Sequence, residues 1–185
     1  MSQTQDRPAL LILDVFNTFD FPGGDALYRH ALPAVDRIRR LRERFHRKRL
    51  PVIFVNDLLG HWEYGFDQLV DHVAASGPHG MSMVRALKPD ERDLRLLKPR
   101  HSAFFETALP SLLHHLETRQ IVVTGIAGDS CVLCTVLDAY VRGFEAIVPT
   151  DATASQTVER NDRVLAHLRE TCAVRTPASA DVLPD

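Results

Sequence analysis

Four short, unbroken apolar runs constrain this chain more than any other feature. Leu10–Leu13 (LLIL) ends at Asp14, and Val52–Val55 (VIFV) ends at Asn56 and Asp57. Ile121–Val123 (IVV) runs into Thr124 and Gly125, and Ala146–Val148 (AIV) into Pro149, Thr150 and Asp151. Runs of this length without polar alternation describe strands covered on both faces. Between them lie helical stripes: Leu32, Val35, Ile38, Leu41 and Phe45; Leu109, Leu112, Leu113 and Leu116; Leu133, Val136, Leu137, Tyr140 and Val141. A further helix is predicted over 158–171, with a short strand near 173–175. The stretch from Gly77 to Pro89, which carries glycine and proline, reads as a loop or lid-like excursion. Alternating strand and helix predicts an α/β domain with a largely parallel sheet, one domain over residues 1–185.

In such sheets ligands bind beyond the carboxyl ends of the strands. The residues that follow the runs are therefore the place to look: Asp14, Asn17, Asn56, Asp57 and the segment 125–131. Periodicity alone gathers two carboxylates and a cysteine at one edge.

Charge and targeting signals narrow the classes further. A formal net charge of -2 gives no global reason to expect nucleic acid or an anionic membrane as partner. No apolar run approaches the ~20 residues needed to span a bilayer. The polar start does not read as a signal peptide, so a cytoplasmic protein is expected. The arginine-rich segment 29–49 belongs to a helix whose apolar stripe faces inward, which makes its charges a solvated outer face. The three cysteines, Cys131, Cys134 and Cys172, suit free thiols better than a disulfide framework. The C-x-x-C of Cys131 and Cys134 lacks a second ligand pair for structural zinc, and it stands too late in the chain for a thioredoxin-like redox pair.

Cys131 falls at the first turn of a helix that follows a strand ending in Thr124-Gly125. Free N–H groups and the helix dipole there would stabilise a thiolate and receive an oxyanion. A small buried hydrophobe is the competing reading. Asp14, closing the first strand, suits a proton acceptor or a turn cap. Lys98, in LLKPRHSAFFETAL, would favour a thiolate if turned into a cleft, though a lone lysine is most often a solvated charge.

Taken in order, three blocks resemble the isochorismatase-like cysteine hydrolases, the group that includes nicotinamidases, N-carbamoylsarcosine amidases and isochorismatases. LLILDVFNTFDFPGG resembles the block with the catalytic aspartate, which falls on Asp14. LKPRHSAFFETAL resembles the lysine block, which falls on Lys98, with Ser102, Phe104, Thr107 and Leu109 after it. GIAGDSCVLCTVLDAYVRGFEAIVPTDATAS resembles the nucleophile block, which falls on Cys131. The resemblance implies a three-layer αβα fold, a six-stranded mostly parallel sheet with helices on both faces. It also implies a cis Ile126–Ala127 peptide, with the Ala127 and Cys131 N–H groups forming an oxyanion hole. The expected activity is hydrolysis of a C–N bond, amide or ureido, in a small molecule, by a homodimer or homotetramer without a cofactor.

Departures from the family pattern bear on substrate and metal. Phe16 stands where the first block commonly has Gln, and Thr18 where it has a second Asp, so the pocket near Asp14 is expected to be more apolar. Nicotinamidases carry a D-x-H metal motif after the second strand. Here that segment reads Asn56-Asp57-Leu58-Leu59-Gly60-His61-Trp62, with no His two residues beyond Asp57, and no bound metal is expected. Substrate contacts are expected from Phe16, Asn17, Phe19, Trp62 and Phe104. Two rivals stay open: a vinyl-ether hydrolase of isochorismatase type, against which Cys131 argues, and a catalytically silent interaction protein.

Overall fold

The computed structural model describes residues 7–183. In chain order its elements are β1 (Ala9–Leu13), α1 (Gly24–Arg47), β2 (Val52–Asp57), α2 (Phe66–Ala75), α3 (Pro78–Leu87), β3 (Leu94–Lys98), α4 (Leu109–His115), β4 (Gln120–Ile126), a π-helical segment (Gly128–Val132), α5 (Leu133–Val141), β5 (Glu145–Ile147), β6 (Thr153–Ala154) and α6 (Val158–Cys172). The strands form one parallel sheet in the order β3-β2-β1-β4-β5, with β6 pairing the end of β4.

The unbroken apolar runs have their physical reason in two core clusters. Alternate residues of each strand point to opposite faces. Leu10, Ile12, Val52, Phe54 and Val122 pack with α1, α2 and α3 through Ile38, Leu41, Val70, Val73, Met83 and Leu87. Leu11, Leu13, Ile53, Val55, Ile121 and Val123 pack with α4, α5 and α6 through Leu113, Val136, Ala139, Leu165 and Leu168. All of β1 is buried, and each such Leu or Ile side chain contributes about 1.5–3 kcal/mol relative to exposure. The outer face of α1 carries i,i+3 and i,i+4 ion pairs, Asp36 with Arg39 and Arg40, and Arg39 with Glu43.

Two expectations are corrected. The stretch 77–89 is not a loop, because its glycine and prolines stand mostly at helix boundaries. Gly77 is the N-cap of α3, Pro78 opens it, and Pro89 follows its end. Gly80 lies inside α3 where a Cβ would meet the Val73 carbonyl at 2.2 Å, so glycine is what lets α3 pack on α2. The sixth strand is Thr153–Ala154, not a strand at 173–175; of the latter, Arg175 forms an isolated bridge with Ile147. Edge strand β3 has only exposed or partly buried residues before Lys98 and shows no unbroken apolar run. No described helix is long and apolar enough to cross a membrane.

Candidate active site

Strand order reverses between β1 and β4, since β2 and β3 extend one way and β5 the other. Asp14 follows β1, Asp57 ends β2, Lys98 ends β3 in register with Asp57, and the π-helical segment follows β4. The carboxyl edge of the sheet thus delivers one group from each of four strands to the crevice where α/β ligands bind.

The Lys98 ammonium is the centre of the cluster. Its side chain is fully buried, and Nζ lies 2.8 Å from Asp14 Oδ2, 3.5 Å from Cys131 Sγ and 3.8 Å from Asp57 Oδ2, while donating to the Arg100 carbonyl at 3.0 Å. Asp14 has φ +51, a left-handed conformation that Asp tolerates better than most residues. Its N–H donates to the Val55 carbonyl, and its Oδ1 accepts the Asp57 N–H at 2.6 Å. Oδ2 meets the ammonium by distance but has no aligned hydrogen-bond donor. Gly125, at φ +111, closes the approach from β4, since a Cβ there would meet the Leu13 carbonyl at 2.1 Å.

Asn56 fixes the backbone just beyond Asp14. It is buried, its Oδ1 accepts the Phe16 N–H at 3.0 Å, and its Nδ2 donates to the Phe16 and Asp57 carbonyls at 2.9 and 3.1 Å. The loop after β3 is stapled to α5: Ser102 Oγ donates to Asp138 at 2.7 Å, and the Ala103 N–H donates to Thr135 Oγ1 at 3.0 Å. That loop carries the carbonyl that receives Lys98. Ser155 accepts the Asp129 N–H at the start of the π-helical segment, whose geometry recurs at functional sites.

The peptide between Ile126 and Ala127 is cis. Cys131 sits half-buried within the π-helical segment, which runs directly into α5. Its environment differs from what its place at a helix start suggests. Burial first, and then the Asp14 charge, push the thiol well above its ordinary range, against the opposing pull of Lys98 and Ser130. Burial likewise raises Asp14, more than Lys98, the thiol and the Asp57 N–H lower it. Burial alone would lower Lys98, but Asp14, Cys131 and Asp57 turn its net shift upward. Carboxyl, thiol and ammonium therefore titrate as one coupled set, in which burial favours the protonated thiol.

The remaining candidates are dispersed. Phe16 is fully buried, with its ring stacked on Phe54 and edge-on to Phe66. Phe104 belongs to the core on the opposite face, against Phe144 and beneath Arg142. Phe19, at φ +59, packs on Tyr28, and Asn17 accepts its N–H at 2.8 Å. Trp62 is 74% exposed on the β2–α2 connection. His61, from the same connection, stacks on Tyr64 and tilts against His72. Asp57 Oδ1 instead accepts the N–H of Leu59, the residue standing where a D-x-H motif would have its histidine. Among the described residues the only grouping with metal-like spacing is His46, Asp90 and Asp93, and its carboxylates are already paired with Arg42 and Arg92.

Comparisons with known proteins agree with this architecture. An uncharacterised isochorismatase family protein of Bacillus subtilis, YaaI, is 37% identical over 157 residues, covering 85% of this chain and 86% of its own length. The ureidoacrylate amidohydrolase RutB of Methylorubrum extorquens is 41% identical over 86 residues, 46% of this chain; the match spans only 35% of that relative's length. The crystal structure of N-carbamoylsarcosine amidase from Thermoplasma acidophilum superposes with a TM-score of 0.73 over 97% of this chain and 99% of that one, at 24% identity, and so shares the fold. The isochorismatase domain family model matches residues 8–179. With that match over most of its length and YaaI similar over most of both chains, the chain belongs to the isochorismatase family.

Proposed function

We propose that this protein is a cysteine hydrolase that cleaves an amide or ureido C–N bond of a small molecule through a thioester on Cys131. The observation that carries the reading is that one buried ammonium, Lys98 Nζ, touches both the Asp14 carboxylate and the Cys131 sulfur. Ureidoacrylate amidohydrolase and N-carbamoylsarcosine amidase, both named for substrates of this kind, support the choice of bond.

The raised thiol makes the chemistry a concerted one. Sulfur attacks the carbonyl carbon as its proton passes to Asp14, so no free thiolate has to persist in the buried site. Raising Asp14 makes it a better base for this transfer, which is the direction general-base catalysis requires. The backbone N–H groups of Ala127 and Cys131 receive the oxyanion. Collapse expels the nitrogen leaving group, which takes the proton from Asp14. Asp14 then removes a proton from water as it attacks the thioester, and the acid departs while sulfur regains its proton. Lys98 stays charged throughout and holds whichever of carboxylate and sulfur is the anion. A homodimer or homotetramer in the cytoplasm completes the reading.

The test is a panel of primary amides and ureido compounds assayed with wild type and Cys131→Ala. Turnover by wild type that disappears in the variant, together with an acyl adduct on the Cys131 peptide in acid-quenched reactions read by mass spectrometry, is the expected result. Full activity in Cys131→Ala would sink the thioester route and favour hydrolysis without a thiol.

A further inference from the structure

We infer that Asp57 sets the charge selectivity of this site, so that the part of the substrate lying against the nucleophile is neutral or cationic and an anionic group there is rejected. The inference rests on the cysteine-hydrolase reading above and deepens it by naming a substrate class.

The argument begins with a count of charges. Around Lys98 stand two carboxylates, Asp14 and Asp57, and one neutral thiol, so the cluster carries one net negative charge. Moving the thiol proton to Asp14 and the negative charge onto an oxyanion leaves that total unchanged. A carboxylate on the substrate at the same place would double it, in a site where Asp14 and Lys98 are shielded from water. Asp57 is the member of the cluster that no proposed step consumes. Its carboxylate contacts the ammonium that Cys131 also contacts, so carboxylate and sulfur lie on one lysine head. Oδ1 is taken by the Leu59 N–H, whereas Oδ2 has the ammonium at 3.8 Å, and the side chain is 32% exposed. That leaves Oδ2 an acceptor for an incoming N–H, and a repelling charge for an incoming carboxylate. The next cation along the chain, Arg100, is exposed, so water and salt screen it.

A merely structural role for Asp57 is separable from this one. Its backbone N–H holds Asp14 and its Oδ1 caps the turn at Leu59, and Asn retains both bonds while losing the charge. The experiment compares alkylation of Cys131 by iodoacetamide, which is neutral, and iodoacetate, which is anionic, read peptide by peptide at one pH. The same cysteine in the urea-unfolded chain is the reference, and the ratio of the two rates cancels the fraction of thiolate. The folded wild type is expected to prefer iodoacetamide about tenfold more strongly than the unfolded chain does. Asp57→Asn is expected to remove at least about threefold of that preference, and Asp57→Glu to retain it. A reactive Cys131 whose preference matches the unfolded chain, or is unmoved by Asp57→Asn, overturns the inference while leaving the hydrolase reading standing. Full amide turnover by Cys131→Ala overturns the hydrolase reading, and this inference with it.

Discussion

The two ends of strand β3 hold the same ingredients in opposite states of completion. At its start, Asp93 is buried and both carboxylate oxygens are occupied: Arg42 grips them from α1, His46 Nε2 lies 3.0 Å from Oδ1, and the Asp90 N–H donates to Oδ2 at 2.7 Å. At its end, Lys98 meets Asp14 as a point charge, Asp14 Oδ2 lacks an aligned donor, and a thiol occupies the neighbouring place. Arginine's planar fork locks a carboxylate bidentately, whereas an ammonium leaves it free to exchange a proton. The first cluster holds α1 to the sheet; the second keeps an acid, an ammonium and a thiol within reach of one another, as the proposed chemistry requires. The difference lies in which polar atoms remain open, not in burial or charge.

The largest effect that sharpens the contrast is at the sulfur. Cys131→Ala should lower turnover of a responsive amide by at least about a thousandfold, measured as initial rates, since the covalent route is lost outright. A residual rate within tenfold of wild type would leave the poised end without a nucleophile and end the comparison. Exchanging the acids comes next. Asp14→Asn should cost about a hundredfold or more in turnover, yet shift the urea-unfolding free energy by less than about 1.5 kcal/mol. That small shift reflects cancellation: a carboxylate raised by burial is removed, and Asp57 remains beside the ammonium. Asp93→Asn should do the reverse, costing about 3 kcal/mol of stability by removing the buried carboxylate of His46 and leaving Arg42 only Asp90, while the Cys131 alkylation rate stays unchanged. If both variants lose stability alike, the two ends are equivalent and the distinction fails.

Acid–base linkage tests the same point with a smaller signal. Cys131 is raised from 9.0 in the fold, so above that pH the unfolded chain releases a proton that the folded chain keeps. The stability this thiol contributes is therefore complete below pH 9 and is lost as pH rises further. The wild type should fall by about 1.4 kcal/mol per pH unit more steeply than Cys131→Ala between pH 9 and 10.5, in urea titrations of both proteins. A thiolate-stabilising site would give the opposite sign, with wild type the less steep of the two.

How much of this was legible before folding depends on the kind of signal each residue gives. Strands β1, β2, β4 and β5 are visible because their runs are buried on both faces, and the loop positions that follow them then mark where Asp14, Asp57 and Cys131 stand. Lys98 has no such marker: it ends an edge strand with partly buried residues, and only its motif singles it out. α2, at Phe66–Ala75, was not read at all, and α3 was hidden behind glycine and proline whose positions at its ends matter more than their presence. Asp93 is an ordinary residue in the sequence, and Asn56 is marked only by its place after a strand; what makes them structural is a partner 51 and 40 residues away. The direction of the thiol shift was also out of reach. A helix start and a lysine both argue for a thiolate, and only the fold shows that burial and Asp14 outweigh them.

The smallest expected effect concerns how firmly the poised end is held. Ser102 Oγ donates to Asp138 on α5 and also accepts the Phe104 N–H at 3.1 Å, so it braces the loop whose Arg100 carbonyl receives Lys98. Ser102→Ala deletes one charge-assisted hydrogen bond on a half-buried side chain, and Asp138 keeps Arg142 as a partner at 2.6 Å. A stability loss of about 1 kcal/mol is therefore expected from urea unfolding. The Ala103–Thr135 bond remains and still ties the loop to α5, so the Cys131 alkylation rate should change by less than about threefold. A loss of ten-fold or more in that rate with the same small stability change would mean that Lys98 is set by the loop more than by β3. The poised end would then differ from the Asp93 end in its mechanical support as well as in its open polar atoms.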